Sequence, residues 1–319
     1  MAAGVGSRLE PLTLACPKPL APINNIPVMQ YNIEALKRAG ITNITANLHA
    51  FPEKIKEYFK DGKEFGVNLT YSDEKVLLGT AGGVKKMSKV SLFDDEYFIV
   101  LSADVYTDID LDKLISFHKE KKAMVTIALI EIEDTTQFGV VITDDNGKIK
   151  SFQEKPKKEE ALSHFANTGV YIMNKEVLDL IPNNTFYDFG KELFPLLVKN
   201  DMPFYAMKTN AYWIDIGTIA NYKRANFDLV GTLHRNVHGN SNIIGHNVII
   251  GKDVKISDSI IWDNVTIEDN VEIEDSIIGA DCHIRKGVCI AKNSVIANGC
   301  TINSSLPENS RIKPNLPEV

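Results

Sequence analysis

The sequence has no apolar run near the ~20 residues a helix needs to cross a bilayer, and no C-x-x-C pair among Cys16, Cys282, Cys289 and Cys300. The first absence leaves no membrane-spanning helix to place. The second removes the usual spacing of zinc and thioredoxin-like sites. His234 and His238 stand four apart without a second ligand pair, so they read as a surface pair, not a metal site. No block of Lys and Arg occurs and the net charge is -7. A nucleic-acid partner is therefore not expected, because phosphate backbones call for a basic footprint. The opening residues lack a basic segment followed by an apolar core, so no secretory signal is read. The expectation is a cytoplasmic protein with reduced thiols.

The chain shows two textures that change near residue 240. From residue 1 to 230, apolar strands alternate with amphipathic helices. Residues 43–48 and 97–101 read as buried strands, and 28–39 as a helix stopped at Gly40. A helix over 110–121 precedes a strand over 123–132. Residues 138–142 and 149–153, split by DDNG, read as a hairpin. This alternation predicts an α/β domain with a mixed, mostly parallel sheet and helices on both faces.

Beyond a connection at 231–241, the pattern repeats every six residues. Ile244, Ile250, Ile256, Ile261, Ile267, Ile273, Ile278, Ile284, Ile290, Ile296 and Ile302 carry it, with two steps of five, at 256–261 and 273–278. Period six is the signature of a parallel β-helix, in which three hexapeptides make one triangular coil. Each isoleucine is expected to point inward and stack on its equivalent in the next coil, about 4.8 Å away. Cys282 and Cys300, eighteen residues apart, are expected to stack as core-filling thiols. The repeat is placed at 242–305 and the Pro-bearing tail 306–319 is expected to be irregular.

The chemistry concentrates at the start. Ala2, Ala3, Gly4 and Gly6 let backbone N–H groups approach phosphate oxygens, and Arg8 and Lys18 supply charge to a polyphosphate. A lone Gly-x-Gly means little. The full string AAGVGSRLEPLTLACPKPLAP resembles the G-x-G-[ST]-R-L-x-P-L-T…P-K-P signature of the sugar nucleotidyltransferases. Further segments resemble that family in its own order: GTAGGV at 79–84, VLSADVYTDID at 100–110, QFGVV at 137–141, FQEKP at 152–156, NTGVYIM at 167–173 and WIDIGT at 213–218. The subgroup that these segments resemble most is the mannose-1-phosphate guanylyltransferases.

The resemblance implies a Rossmann-like catalytic domain over 1–230 followed by a left-handed parallel β-helix. It implies transfer of a nucleotidyl group from an NTP to a sugar-1-phosphate with release of pyrophosphate, GTP and mannose-1-phosphate being the expected pair. Carried over residue by residue, Arg8 and Lys18 hold the NTP phosphates. Ala3, Gly4, Gly6, Gly79 and Thr80 bind the nucleotide. Gly139, Glu154, Lys155, Asn167 and Thr168 bind the sugar phosphate, and Asp104 and Asp215 hold Mg²⁺. Such chemistry needs no general base, since the attacking phosphate is already ionised; positioning and electrostatics carry it. Taken singly, each residue has an ordinary structural reading: a cap for either aspartate, an ion pair for Arg8, core packing for Trp213.

Two departures stand out. An apolar strand usually precedes the family's glycine loop, and it is expected to be missing here, where Met1 stands directly before AAG. Glu10 replaces a basic residue of some members and is expected to point away from the triphosphate. Alternatives are a glucose-1-phosphate thymidylyl- or uridylyltransferase and a non-catalytic, nucleotide-sugar-binding regulatory subunit. Acyl transfer by the β-helix would need a long inserted loop, and none interrupts the repeat despite His246 and His283. The β-helix is expected to serve homo-oligomerisation.

Overall fold

The computed structural model describes residues 1–319 except 92, 94, 234–236, 239–241 and 315–319. The connection expected at 231–241, with His234, thus falls largely outside the described residues. The chain forms two compact units. One comprises Met1–Gly4 and Tyr31–Trp213, the other Val5–Gln30 and Ile214–Val319.

The first unit is built on a six-stranded mixed sheet. Strand Val125–Glu131 lies parallel to Phe204–Thr209 on one side and antiparallel to Phe165–Asn174 on the other. Phe165–Asn174 also pairs antiparallel with Tyr97–Leu101 and contacts the hairpin Gly139–Thr143/Ile149–Glu154. Tyr97–Leu101, Val125–Glu131 and Phe204–Thr209 therefore share one direction, and Phe165–Asn174 runs against them. Alternate side chains along the strands feed opposite faces. Val125, Ile127, Leu129, Tyr171 and Met173 pack with helix Gly79–Val90 and with Leu193, Phe194 and Leu197. Ala128, Val170 and Ile172 pack with Leu36, Leu111 and Leu114. Burial on both faces is why VTIALIE reads as continuously apolar. A separate parallel pair joins Asn43–Leu48 to Asn68–Asp73. Met1 lies at the end of this region: its N–H₃⁺ donates to Leu101 O at 2.6 Å, and Ala103 N donates to Met1 O at 2.9 Å.

The second unit couples the early segment to helix Ile219–Leu233 and the β-helix. Tyr222 OH donates to Pro22 O, Asn24 N to Asn226 Oδ1 and Asn25 Nδ2 to Ile244 O. The β-helix has three parallel faces, joining Ile244 to Ile261, Ile278 and Ile296, Ile250 to Ile267, Ile284 and Ile302, and Ile256 to Ile273 and Ile290. Asn247, Asp253, Asp258, Asn264, Asn270, Asp275, Asp281 and Asn293 all turn the corners with positive φ. Asn and Asp visit this region more readily than other side-chain-bearing residues. The two five-residue steps fall at one corner, where the strands are joined by two residues, Asp258-Ser259 and Asp275-Ser276, and not by the four found at other corners.

The inward register holds for Ile261, Ile267, Ile273, Ile278, Ile284, Ile290, Ile296 and Ile302, all buried. The first coil keeps the register but is less completely buried. Ile250 is 45% exposed, and Ile244 and Ile256 are half-buried. Among the described strands, those of Ile250 and Ile256 are paired on one side only, with the strands of Ile267 and Ile273, so less of their surface is covered. Ser259, Ser276 and Ser294 form a buried ladder, Ser276 N donating to Ser259 Oγ and Ser294 N to Ser276 Oγ. Cys282 and Cys300 are free, buried and stacked on adjacent coils. Burial pushes the Cys282 thiol up to about 12. The tail is more ordered than its prolines suggested: Arg311–Ile312 pairs parallel with Val295–Ile296 and extends one face.

Candidate active site

Gly6 organises the early segment. Its φ is +71°, and a Cβ there would stand 2.9 Å from Thr13 Cγ2 and 3.3 Å from Lys18 Cβ. The carbonyl of Gly6 accepts from Leu9 N and Thr13 Oγ1, both at 2.9 Å, which folds Ser7–Leu9 into a short 3₁₀ turn. Leu9 and Leu12 are fully buried, and Arg8, just before Leu9, is turned outward, its side chain 50% exposed. Glu10 is also exposed.

Lys18 and Arg8 meet at Asp215. The buried Lys18 Nζ, with 6% of its side chain exposed, lies 3.1 Å from Asp215 Oδ1, and Arg8 Nη2 lies 3.6 Å from Oδ2. Gly217 N donates to Asp215 Oδ1 at 2.7 Å, and Asn221 Nδ2 to Asp215 O at 2.9 Å. Three residues nearly two hundred positions apart thus form one cluster: two cations and a carboxylate that is not buried away from water. A polyanion can exchange onto such cations at low cost, because they are already assembled and oriented.

The other predicted residues lie in the first unit. Asp104 stands in a turn, Val105 N donating to Ser102 O at 3.3 Å, at the carboxyl end of Tyr97–Leu101. Ser102 is fixed in turn by Gly169 O, which accepts from its N–H at 3.0 Å, and by Asn32 Nδ2, which donates to its carbonyl at 3.2 Å. Gly169 belongs to the segment Asn167-Thr168-Gly169, where the register of Phe165–Asn174 shifts. Asn167 Nδ2 donates to Tyr171 OH at 2.8 Å, and Asn167 Oδ1 accepts from Gly169 N at 3.0 Å. Thr168 is buried: its Oγ1 donates to Ala128 O and its carbonyl accepts from Trp213 Nε1, both at 2.8 Å. Trp213 packs edge-on against Phe138, the core role read for it.

Gly79, at φ +74°, opens helix Gly79–Val90 where a Cβ would stand 2.6 Å from Tyr187 O. Thr80 Oγ1 donates to Asp188 Oδ2 at 2.9 Å and accepts from Phe189 N at 2.7 Å. The Thr80 side chain therefore clamps a neighbouring segment, leaving the backbone of the helix start as its free contribution. Asp188 caps the next turn, accepting from Gly190 N and Lys191 N, while Asp188 N donates to Glu192 Oε2. Glu154 Oε2 lies against Gly190 and Gly139, neither of which has space for a side chain there. Burial pushes the Glu154 carboxyl above the ordinary range; Lys155 pulls it back and Asp188 raises it further. Lys155 is exposed and holds φ +47°, an uncommon conformation for a side-chain-bearing residue. Ala3 is buried, and a Cβ at Gly4 would meet no described atom within 4 Å.

Asp188 and Glu74 escaped sequence reading. Glu74 is buried, accepts from Asn47 Nδ2 and Leu78 N, and anchors the approach to Gly79. The spacing hid Asp188: Glu192 stands four residues on, where a capping box has three, and the π-helical turn Phe189–Leu193 takes up the extra residue.

As for a metal, no group of three His, Cys, Asp or Glu side chains among the described residues could form a complete protein cage. The donor set fits Mg²⁺ in another way, since this ion commonly takes one or two carboxylates plus substrate phosphates. Asp215 presents hard oxygens partly open to solvent.

The model of the family described as nucleotidyl transferase matches residues 1–230, and that of the EIF2B subunit epsilon LbH domain matches 231–307. The repeat is thus a left-handed β-helix. A UTP–glucose-1-phosphate uridylyltransferase of Synechocystis sp. is 43% identical over 74% of this chain and 63% of its own length. A mannose-1-phosphate guanyltransferase of Saccharomyces cerevisiae is 38% identical over 67% of this chain and 59% of its own. The chain thus spans about three fifths of the length of these curated relatives. The crystal structure of HddC from Yersinia pseudotuberculosis superposes with a TM-score of 0.61 at 26% identity, over 72% of this chain and 96% of that one.

Proposed function

The chain belongs to the nucleotidyl transferase family, and from that premise we propose that it transfers a nucleotidyl group from an NTP to a sugar-1-phosphate, releasing pyrophosphate. The observation that carries this reading is the meeting of Lys18 and Arg8 at Asp215. Lys18 and Arg8 take the NTP phosphates and offset the charge that builds on the leaving pyrophosphate. Ala3, Gly4, Gly6 and the backbone of Gly79 and Thr80 receive the nucleotide. Glu154 accepts sugar hydroxyls, and Lys155, exposed and held in one backbone conformation, meets the sugar phosphate. Gly139 gives room beside Glu154, and Asn167 and Thr168 hold the bulge that borders it. Asp104 and Asp215 are each proposed as Mg²⁺ ligands; the ion, when bound, neutralises phosphate charge.

GTP with mannose-1-phosphate is the proposed pair, supported by the order of motifs and by the guanyltransferase relatives. UTP with glucose-1-phosphate is the second reading, favoured by the 43% identical uridylyltransferase. The proposed setting is cytoplasmic nucleotide-sugar synthesis, with homo-oligomerisation through the β-helix. Pyrophosphate release, measured with Mg²⁺ over four NTPs crossed with the common hexose-1-phosphates, tests the reading. Turnover confined to one pair supports transfer and names the substrates. Nucleotide-sugar binding without turnover would replace it with the regulatory-subunit reading.

A further inference from the structure

A cavity of about 480 Å³ lies at the start of helix Ile219–Leu233, within the second unit. That volume is in the range of small-molecule sites, roughly 300–1,000 Å³. Its walls are Ile219, Ala220 and Lys223 from the helix, with Asn293 and Arg311 from the β-helix.

On this face of the β-helix, Ile243, Ile260, Ile277 and Val295 form a buried aliphatic row, one residue per coil. Arg311 takes the next place in the row, in register with Val295. A guanidinium therefore replaces an aliphatic group where the row reaches the cavity. Arg311 Nη1 donates to Asn293 O and, at 3.0 Å, to Ser310 O. These bonds orient the fork without exhausting its five N–H donors. Lys223 Nζ is held by Asp275, through Oδ1 and, at 3.2 Å, through the carbonyl oxygen. The described walls thus carry two oriented cations and an amide, with one carboxylate, that of Asp275, paired to Lys223, which leaves the group net positive in a chain of net charge -7.

We propose that this cavity binds the phosphate group of a small phosphate monoester that is not a nucleotide. A planar fork and a point charge converging on one space suit a tetrahedral oxyanion. Ile219 and Ala220 offer apolar surface to a short carbon skeleton. Among the described residues no aromatic side chain lines the cavity, so a nucleobase has nothing there to stack on. Two residues past Ile219, Asn221 donates to Asp215 O, so occupancy bears on the segment that holds Asp215. The site is independent of the proposed transfer reaction, and its test reads binding alone.

Glycerol 3-phosphate and, separately, inorganic phosphate are titrated calorimetrically into the full chain and into Arg311→Gln, Ala220→Glu and Lys18→Gln variants. Ala220 is exposed, so a carboxylate there repels an anion without disturbing packing. Saturable binding of glycerol 3-phosphate is expected, weakened at least about tenfold by Arg311→Gln and by Ala220→Glu and kept by Lys18→Gln. Tighter binding of glycerol 3-phosphate than of phosphate supports an ester ligand; equal binding would reduce the site to a phosphate site and overturn the ester. Binding lost only in Lys18→Gln would place the anion at the Asp215 cluster and overturn the cavity. Absence of saturable binding to the unmodified chain would do the same.

Discussion

Lys18 is the residue on which most rests. It is buried, yet its ammonium reaches a carboxylate that water also reaches. Lys18→Gln keeps the length of the stem and removes the charge. Turnover is expected to fall by about 10²–10³-fold, the scale of losing one preorganised charge donor. Steady-state pyrophosphate release, with folding checked by circular dichroism, reads this; unchanged turnover would remove Lys18 from the reaction. Glu154 makes a pH prediction. Its carboxyl titrates above the ordinary range because burial disfavours the charge. The ionised form accepts sugar hydroxyls, so as pH falls through the raised value the acceptor is lost. The KM for sugar phosphate is therefore expected to rise at a higher pH than an ordinary carboxylate would give, and Glu154→Gln to flatten that limb. Linkage gives a second sign. A raised folded-state value means the folded chain binds this proton more tightly than the unfolded chain, so the ionised group costs stability at neutral pH. Glu154→Gln is expected to raise the melting temperature at pH 7.

Secondary-structure elements supply the rigidity these residues use. Helix Gly79–Val90 begins beside the carbonyl of Tyr187, which accepts from Gly82 N at 2.9 Å. Gly79→Ala meets both a positive φ and that carbonyl at 2.6 Å, and a loss of about 1–3 kcal/mol is expected in urea unfolding. An unaltered midpoint would show that the segment around Tyr187 gives way. Helix Leu111–Glu120, capped by Asp110 Oδ1 accepting from Lys113 N, is tied to the sheet through His118. The His118 ring nitrogens meet Thr126 Oγ1 at 2.8 Å and Asn174 Oδ1 at 2.9 Å. Burial lowers the His118 pKa, while the bond to Asn174 opposes that shift. The unfolded chain therefore takes up this proton first as pH drops below about 6.5. Stability is expected to decline from there through the lowered folded value, and thermal melts between pH 7 and 5 should show a shallower decline in His118→Gln.

At the scale of the whole molecule, the β-helix is a stack in which each coil depends on its neighbours. Ile278 is fully buried between Ile261 and Ile296. Ile278→Ala is expected to cost about 2–5 kcal/mol, whereas Ile250→Ala in the half-open first coil should cost clearly less. Comparable losses at both positions in denaturant titrations would contradict the stacking account. The same logic explains why period six was legible before any coordinates. One isoleucine per strand and one Asn, Asp or Gly per corner repeat because every rung solves the same steric problem.

The β-helix, the α/β texture before it and the order of the motifs are legible residue by residue, since local periodicity and turn chemistry are written in neighbouring residues. Steps of five at 256–261 and 273–278 even marked the corner that Asp258 and Asp275 turn. The folded chain alone shows that Val5–Gln30 groups with Ile214–Val319, that Lys18 and Arg8 share Asp215, and that Thr80 commits its hydroxyl to Asp188 and Phe189. Those pairings join residues about a hundred to two hundred positions apart. Whether such groups meet depends on how strands and helices pack, and packing is a property of the assembled core that no local pattern encodes.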